Sequence, residues 1–334
     1  MDRVRAGLIG CGPMGRDLIS QAKSLSDIAE VVAVCDIDAA LAKKTAFELG
    51  SEAMTSSAEL IARDDVNALF VATPGYLHAE PVLAAAGAGK HVFVEKPMAL
   101  RVEDCQAMID AADSNGVKLM VGQVLRYTDV FQFARDHIAA GDLGEVFAAR
   151  ITRTGSGWGS WGRSWRTKKE QSGGVLFEFS VHELDFMRCC LGDAESVYAV
   201  ESHRVHHDLD YADTCFLTIR FRSGGLGQLA AGLADHVGTY RGEILGTDGA
   251  IHFDKSAGSV RYRFGDQETQ SMDINALETP SAVNREVREF IEAVGGDGAV
   301  TIPGKEGMAV VEIASGAGVS AQTGEVVPLT VKTR

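Results

Sequence analysis

Val4-Arg5-Ala6-Gly7-Leu8-Ile9-Gly10-Cys11-Gly12-Pro13-Met14-Gly15 is the stretch that decides the fold of this chain. Val4 to Ile9 reads as a short apolar strand, and a helical pattern begins at Arg16. The glycines between them follow G-x-G-x-x-G, which arises by chance when alone but carries meaning between a strand and a helix. Gly10 permits the tight turn, Gly12 lets the backbone approach a pyrophosphate, and Gly15 lets the helix pack on the strand. The helix N-terminus then faces the anion with unpaired N–H groups. Pro13 and Met14 lie inside this turn and are expected at the same ligand.

A second apolar run, Val31-Val32-Ala33-Val34-Cys35, ends in Asp36. A carboxylate about twenty residues past the fingerprint accepts hydrogen bonds from a ribose diol and repels a 2′-phosphate. Ile37 follows, with no Arg or Ser to receive such a phosphate, so NAD is the expected cofactor. Lys43 and Lys44, a turn or two away, keep NADP as the alternative.

Strands and helices go on alternating. Val66 to Ala72, His91 to Val94 and Val117 to Val121 read as strands, and Pro81 to Gly87 and Val102 to Ser114 as helices. Repeated strand–helix units predict a right-handed, doubly wound parallel sheet, an α/β Rossmann domain over residues 1–122. Thr73, Pro74 and His78 follow one strand on the rim that carries the glycine turn, as candidate contacts to ribose or nicotinamide. Turn and helix-start chemistry is the other role open to them. Glu95-Lys96-Pro97 closes the strand after that. It places Lys96 at the carboxyl end of a parallel strand, where such sheets bind ligands, with a proline stiffening the next turn.

From residue 123 to 334 the pattern becomes α+β with a mostly antiparallel sheet. Gly144 to Arg153, Ser196 to Val205, Thr214 to Phe221, Gly227 to Leu233, Gly242 to Gly246 and Ala250 to Phe253 read as strands. Gly224-Gly225 and Asp248-Gly249 supply hairpin turns. Helices on one face only would leave the other face to water or to a second subunit, so a homodimer or homotetramer through this sheet is expected.

Leu176 to Leu191 reads as one buried helix whose only polar stripe is Glu178, His182 and Asp185. A carboxylate one turn from an imidazole can fix its tautomer and stabilise the imidazolium. Gly173-Gly174 at its entrance allows close approach. All three tryptophans, Trp158, Trp161 and Trp165, fall in one irregular stretch beside Arg166. Flat aromatics suit the C–H faces of a sugar ring while Arg166 bonds its hydroxyls; an inter-subunit contact is the equal alternative. His203, His206, His207 and Asp208 match no closed zinc spacing and read as a polar loop, so no metal is expected.

Composition narrows the partners. The 334 residues are 46% hydrophobic with a net charge of −14, which disfavours nucleic acid and anionic membrane surfaces. No apolar run is long enough to span a bilayer. The start Met-Asp-Arg-Val-Arg is no signal peptide. The six cysteines form no C-x-x-C pair, so reduced thiols in a cytoplasmic protein are expected.

GLIGCGPMG, TPGYLH, FVEKPMAL and GGVLFEFSVHELD together resemble the glucose-fructose oxidoreductase, inositol dehydrogenase and rhizopine-catabolism family, in that family's order and over essentially the whole chain. The resemblance implies that Lys96 contacts substrate and cofactor and that His182 is the general acid/base. It implies a cytoplasmic NAD-dependent dehydrogenase acting on a secondary alcohol of a cyclic polyol or sugar. Glu178 or Asp185 would orient His182. Glu95 and Gln123 join the cofactor contacts, and Arg126, Trp165 and Arg166 the substrate contacts. Glu178 stands where the family has an aspartate, and Val124 where Asn is commoner. The alternatives are an NAD-dependent glycoside hydrolase of the same family and a non-catalytic dinucleotide-binding regulator.

Overall fold

The computed structural model of the protein describes residues 3–159, 165–277 and 281–333. The chain divides into two compact units, Met1–Val124 with Pro280–Met308, and Leu125–Thr279 with Ala309–Arg334. A single boundary after residue 122 is therefore too simple, because a late segment returns to the first unit.

In the first unit β1 (Val4–Ile9), β2 (Ala29–Cys35), β3 (Glu52–Met54), β4 (Ala68–Val71), β5 (His91–Glu95) and β6 (Leu119–Gly122) form one sheet. They alternate with α1 (Pro13–Ser24), α2 (Ala39–Leu49), α3 (Ser57–Ile61), α4 (Ala79–Gly87) and α5 (Val102–Ser114). The strand order is β3-β2-β1-β4-β5-β6, with every neighbouring pair parallel. The order reverses between β1 and β4, and such a switch point is where open α/β sheets bind their ligands. β4 and β6 are buried along their whole length. Helices on both faces require such unbroken apolar runs.

The second unit begins with α6 (Asp129–Ala140), β7 (Val146–Thr154), α7 (Lys169–Ser172), α8 (Val175–Glu178) and α9 (Val181–Leu191). β8 (Ala194–Ser202), β9 (Thr214–Phe221), β10 (Leu226–Gly232), β11 (Thr239–Gly246), β12 (Gly249–Asp254), β13 (Ser259–Phe264) and β14 (Gln270–Asp273) follow. After them come α10 (Ala282–Gly295), α11 (Gly304–Thr323) and β15 (Val327–Pro328). The sheet order is β14-β13-β12-β11-β7-β10-β9-β8-β15, antiparallel throughout save the β7–β10 pair. The sequence pattern located the strands from β7 to β12 to within a few residues and did not reach β13, β14 or the helices after them.

Period-two burial runs through this sheet. On β9, Cys215, Leu217, Ile219 and Phe221 are buried while Phe216, Thr218 and Arg220 are exposed. The inner face packs on α9, where Met187 Sδ lies 3.3 Å from the place a Cβ on Gly227 would take. The outer face carries Tyr198, Val200, Phe216 and Leu226, each 39–55% exposed.

α10 explains the first unit's second segment. Phe290 meets Phe70 and Phe93 edge-on, with ring centroids 5.4 and 5.7 Å apart, an aromatic geometry favourable beyond its buried area. Ahead of α11, the Ile302 carbonyl accepts from Val121 N–H at 2.9 Å, which covers the edge of β6.

One expected element is corrected. Leu176–Leu191 is not a single helix: α8 ends at Glu178, and α9 starts afresh after Phe179 and Ser180. Ser180 leaves helical geometry (φ −115°, ψ 12°), and the Phe179 ring is taken up by the Arg153 guanidinium at 4.5 Å. A cation over an aromatic face outweighs the small preference for one continuous turn.

Candidate functional site

The first unit holds a cradle shaped for a dinucleotide. Gly10 has φ +100°, in the region that favours glycine. A Cβ there would come within 2.8 Å of the Ala72 backbone, and one on Gly15 would strike the Gly10 carbonyl. A Cβ on Gly12, by contrast, would meet nothing within 4 Å, which leaves space above the turn. Gly12 caps α1 without a side-chain hydrogen bond, and Pro13 opens the helix. No side chain therefore takes the first-turn N–H groups, which an anion can use.

Asp36 closes the cradle on the side of β2. Its two oxygens accept from Cys11 N–H at 2.7 Å and Asp38 N–H at 2.9 Å. Both oxygens keep further lone pairs for a ribose diol. Ile37 beside it is 96% exposed and apolar. Burial, helped by the Asp36 charge, pushes the Cys11 thiol up to about 11. It therefore stays neutral at physiological pH and puts no thiolate beside a pyrophosphate. Thr73 Oγ1 on the same rim is buried without a hydrogen-bond partner among the described residues. An open glycine turn, an uncapped helix start, a carboxylate with free lone pairs and a buried hydroxyl fit a bound NAD. Arg16, which directly follows the fingerprint, is a candidate phosphate contact that the motif alone does not single out.

Two residues nearby bond within the protein. His78 is fully buried, and its ring nitrogens lie 2.9 Å from the Pro97 carbonyl and 2.7 Å from the Thr73 carbonyl. It ties the Glu95-Lys96-Pro97 turn to the loop after β4, in keeping with the turn role open to it. Glu95 is buried and accepts from Lys96 N–H at 3.0 Å. Gly122 faces it across the sheet, and a Cβ there would lie 3.2 Å from Glu95 Oε1. Lys96 is half-buried, its peptide to Pro97 is cis, and Gln123 is 1% exposed.

The second unit gathers the other expected residues. His182 is 9% exposed in the first turn of α9. Asp185 is fully buried and takes Arg126 in a two-pronged pair, Nε at 2.6 Å and Nη2 at 2.5 Å. Both oxygens of Asp185 are therefore engaged by Arg126. Glu178 belongs to α8, so it does not share a helical face with His182. Its Oε1 accepts from Arg166 Nε at 2.8 Å, and Arg166 lies 4.2 Å from the Trp165 ring centroid. Trp158 Nε1 donates to the Tyr211 hydroxyl at 2.9 Å. Trp161 falls outside the described residues. His206 Nε2 bonds the Leu233 carbonyl and His203 Nε2 the His206 carbonyl, so both rings are used by the loop itself.

A third group escaped the sequence. Glu183 is fully buried and receives Arg153 Nη1 at 2.8 Å and the Tyr240 hydroxyl at 2.6 Å. The Arg153 guanidinium lies 4.5 Å from the Phe179 centroid and 5.1 Å from that of Tyr240. This cluster pins the break between α8 and α9 to β7 and β11. An Arg on a strand carries no local signal of it.

A parallel sheet of this order, ending in a dinucleotide cradle and joined to an α+β unit, defines an NAD-binding oxidoreductase. Residues 4–123 match the model of the oxidoreductase family with an NAD-binding Rossmann fold, and residues 135–329 that of its C-terminal alpha/beta domain. The chain belongs to the Gfo/Idh/MocA oxidoreductase family. It is similar to 2,7-anhydro-N-acetylneuraminate hydratase of Escherichia coli (strain K12), 35% identical over 77% of this chain and 70% of that protein. It is also similar to inositol 2-dehydrogenase 3 of Saccharopolyspora erythraea, 29% identical over 99% of this chain and 97% of that one. Among solved structures, levoglucosan dehydrogenase in complex with NADH and levoglucosan superposes with a TM-score of 0.88 at 26% identity. That match covers 98% of this chain and 99% of the other.

Proposed function

We propose that this protein is a cytoplasmic NAD-dependent dehydrogenase that oxidises a secondary alcohol of a cyclic polyol, sugar or sugar derivative. The observation that carries the reading is that the chain places both a Lys96 past β5 and a buried His182 at the start of α9, in a fold it shares at full length with levoglucosan dehydrogenase. NAD, when bound, supplies the hydride acceptor. His182 is assigned the proton of the reacting hydroxyl, and the Lys96 ammonium is assigned contacts to substrate and cofactor. Arg166, over the Trp165 ring, bonds further hydroxyls, and Glu178 holds that guanidinium in place. Arg126 contributes to the substrate pocket from its pair with Asp185. Gly10, Gly12, Pro13, Met14 and Gly15 receive the pyrophosphate with Arg16, and Asp36 reads the ribose beside Ile37. Thr73, Pro74, Glu95, Lys96 and Gln123 line the nicotinamide end.

The test is absorbance at the NADH band with myo-inositol, D-glucose, levoglucosan and methyl glycosides. NADH accumulation with an inositol or a sugar supports the reading. A second reading is favoured by the 35% identical relative named as a hydratase. Adding water is redox-neutral, so that reading requires product from an anhydro-sugar with no net NADH. A glycoside hydrolase would likewise cleave methyl glycosides without net NADH.

Cofactor choice follows from Asp36 and Ile37. NAD should be used at least about tenfold more efficiently than NADP, the ratio that ~1.4 kcal/mol of discrimination produces. Asp36→Ala with Ile37→Arg should shift preference toward NADP, and equal efficiency in the native protein would contradict the assignment.

The outer face of the nine-stranded sheet suggests self-association. Val200 and Phe216 are cross-strand partners on it, and exposed apolar side chains gathered on one sheet face suit an interface. We expect a dimer or a dimer of dimers at micromolar concentration by light scattering, and Phe216→Glu should shift it toward monomer. A native protein that is monomeric throughout would sink the idea. No helix among the described residues is long and apolar enough to cross a membrane.

A further inference from the structure

Tyr211, which no motif marks, is placed where one hydroxyl can hold two chain segments. It is 5% exposed, and its ring packs on Gly174, where a Cβ would lie 3.6 Å from the ring. Its hydroxyl accepts from Trp158 Nε1 at 2.9 Å and donates to the Arg166 carbonyl at 2.6 Å. A phenol has one O–H and two lone pairs, so both bonds form at once. Asp210 next to it reinforces the attachment. Its N–H donates to the Thr167 carbonyl at 3.2 Å, and its carboxylate accepts from Lys169 N–H at 2.6 Å.

We infer that Tyr211 is a positioning residue for substrate recognition: its hydroxyl clasps Trp158 to the Arg166 backbone and so aims the Arg166 guanidinium. The inference rests on the reading that Arg166 bonds the substrate. An arginine side chain has many rotamers, and ordering its fork before binding removes an entropic cost from association. Glu178 and the Trp165 ring restrain the guanidinium from outside, but its reach is set by where its backbone is anchored, and Tyr211 holds the Arg166 carbonyl itself, with Asp210 on the residues that follow. Burial pushes the Tyr211 phenol up to about 12, so the donated hydrogen stays in place across the neutral range.

The experiment combines initial-rate kinetics with an indole N–H spectrum. The probe is myo-inositol or D-glucose, whichever gives the higher kcat/KM with NAD. Tyr211→Phe should raise KM for the probe about three- to tenfold, the range for one lost hydrogen bond. Turnover should stay within about twofold, and KM for NAD should not move. In an Arg166→Ala background, Tyr211→Phe should add nothing, because the clasp acts through that side chain. The indole N–H signal assigned by Trp158→Phe should shift in Tyr211→Phe alone, and Trp158→Phe should raise KM in the same direction. An unchanged KM in Tyr211→Phe with a raised KM in Arg166→Ala overturns the clasp and leaves the Arg166 reading intact. An unchanged KM in Arg166→Ala overturns that reading and the clasp with it. An equal Tyr211→Phe effect in both backgrounds shows another route and overturns the inference.

Discussion

His182→Ala is expected to lower turnover by roughly two to four orders of magnitude, the range for losing a general base. The residue lies in the first turn of α9, at 9% exposure. NAD affinity should survive, because the glycine turn and Asp36 belong to the other compact unit. Lys96→Ala should damage both turnover and substrate affinity, since it is assigned to both ligands. Glu178→Gln should cost less than either, because Glu178 works by holding Arg166. Near-normal turnover of His182→Ala across pH, with Lys96→Ala inactive, would move the base to the lysine or to a bound water. His182 would then be a buried helical residue and nothing more.

Asp185→Ala should destabilise the protein by about 3–5 kcal/mol, the cost of leaving a buried charge uncompensated. Its partner Arg126 is 7% exposed and gives two nitrogens to that carboxylate. For a unit of this size the loss corresponds to a fall in Tm of roughly 10 °C. Arg126→Met together with Asp185→Leu should recover much of it, since a well-packed apolar pair avoids both desolvation costs. Thermal melting of the three proteins checks this. A single variant that melts within about a degree or two of the native chain would show that Arg126 finds another counter-charge.

The first half of the chain was the more legible. Strand, glycine turn and helix at Val4–Ser24 obey local rules: φ +100° at Gly10, proline at the helix start, apolar runs in parallel strands. Asp36 was readable because its distance from the fingerprint is set by one strand–helix unit. The helix α10 has a clear apolar face at Val287, Phe290 and Ile291. Nothing local, however, says that this face completes the Phe70–Phe93 cluster of a unit begun more than a hundred residues earlier.

The candidate site divides the same way. Lys96 and His182 were visible as residue types in a marked context, and so was the stripe of Glu178, His182 and Asp185. Which cation each carboxylate would meet was not visible. Arg126 and Asp185 are 59 positions apart, and Trp158 and Tyr211 are 53 apart. The break at Phe179-Ser180 follows from Arg153, which reaches it from a strand.

The sequence by itself determined the dinucleotide-binding fold and singled out the residues expected to read the ribose and to carry the chemistry. Glycine conformation, strand alternation and helical period act between near neighbours and leave their mark in order along the chain. Only the tertiary structure decided that Asp185 serves Arg126, that His78 braces the Lys96 turn, and that Tyr211 anchors Arg166. The strength of a buried ion pair or hydrogen bond depends on desolvation and on the alignment of distant segments, and neither is encoded at any one position.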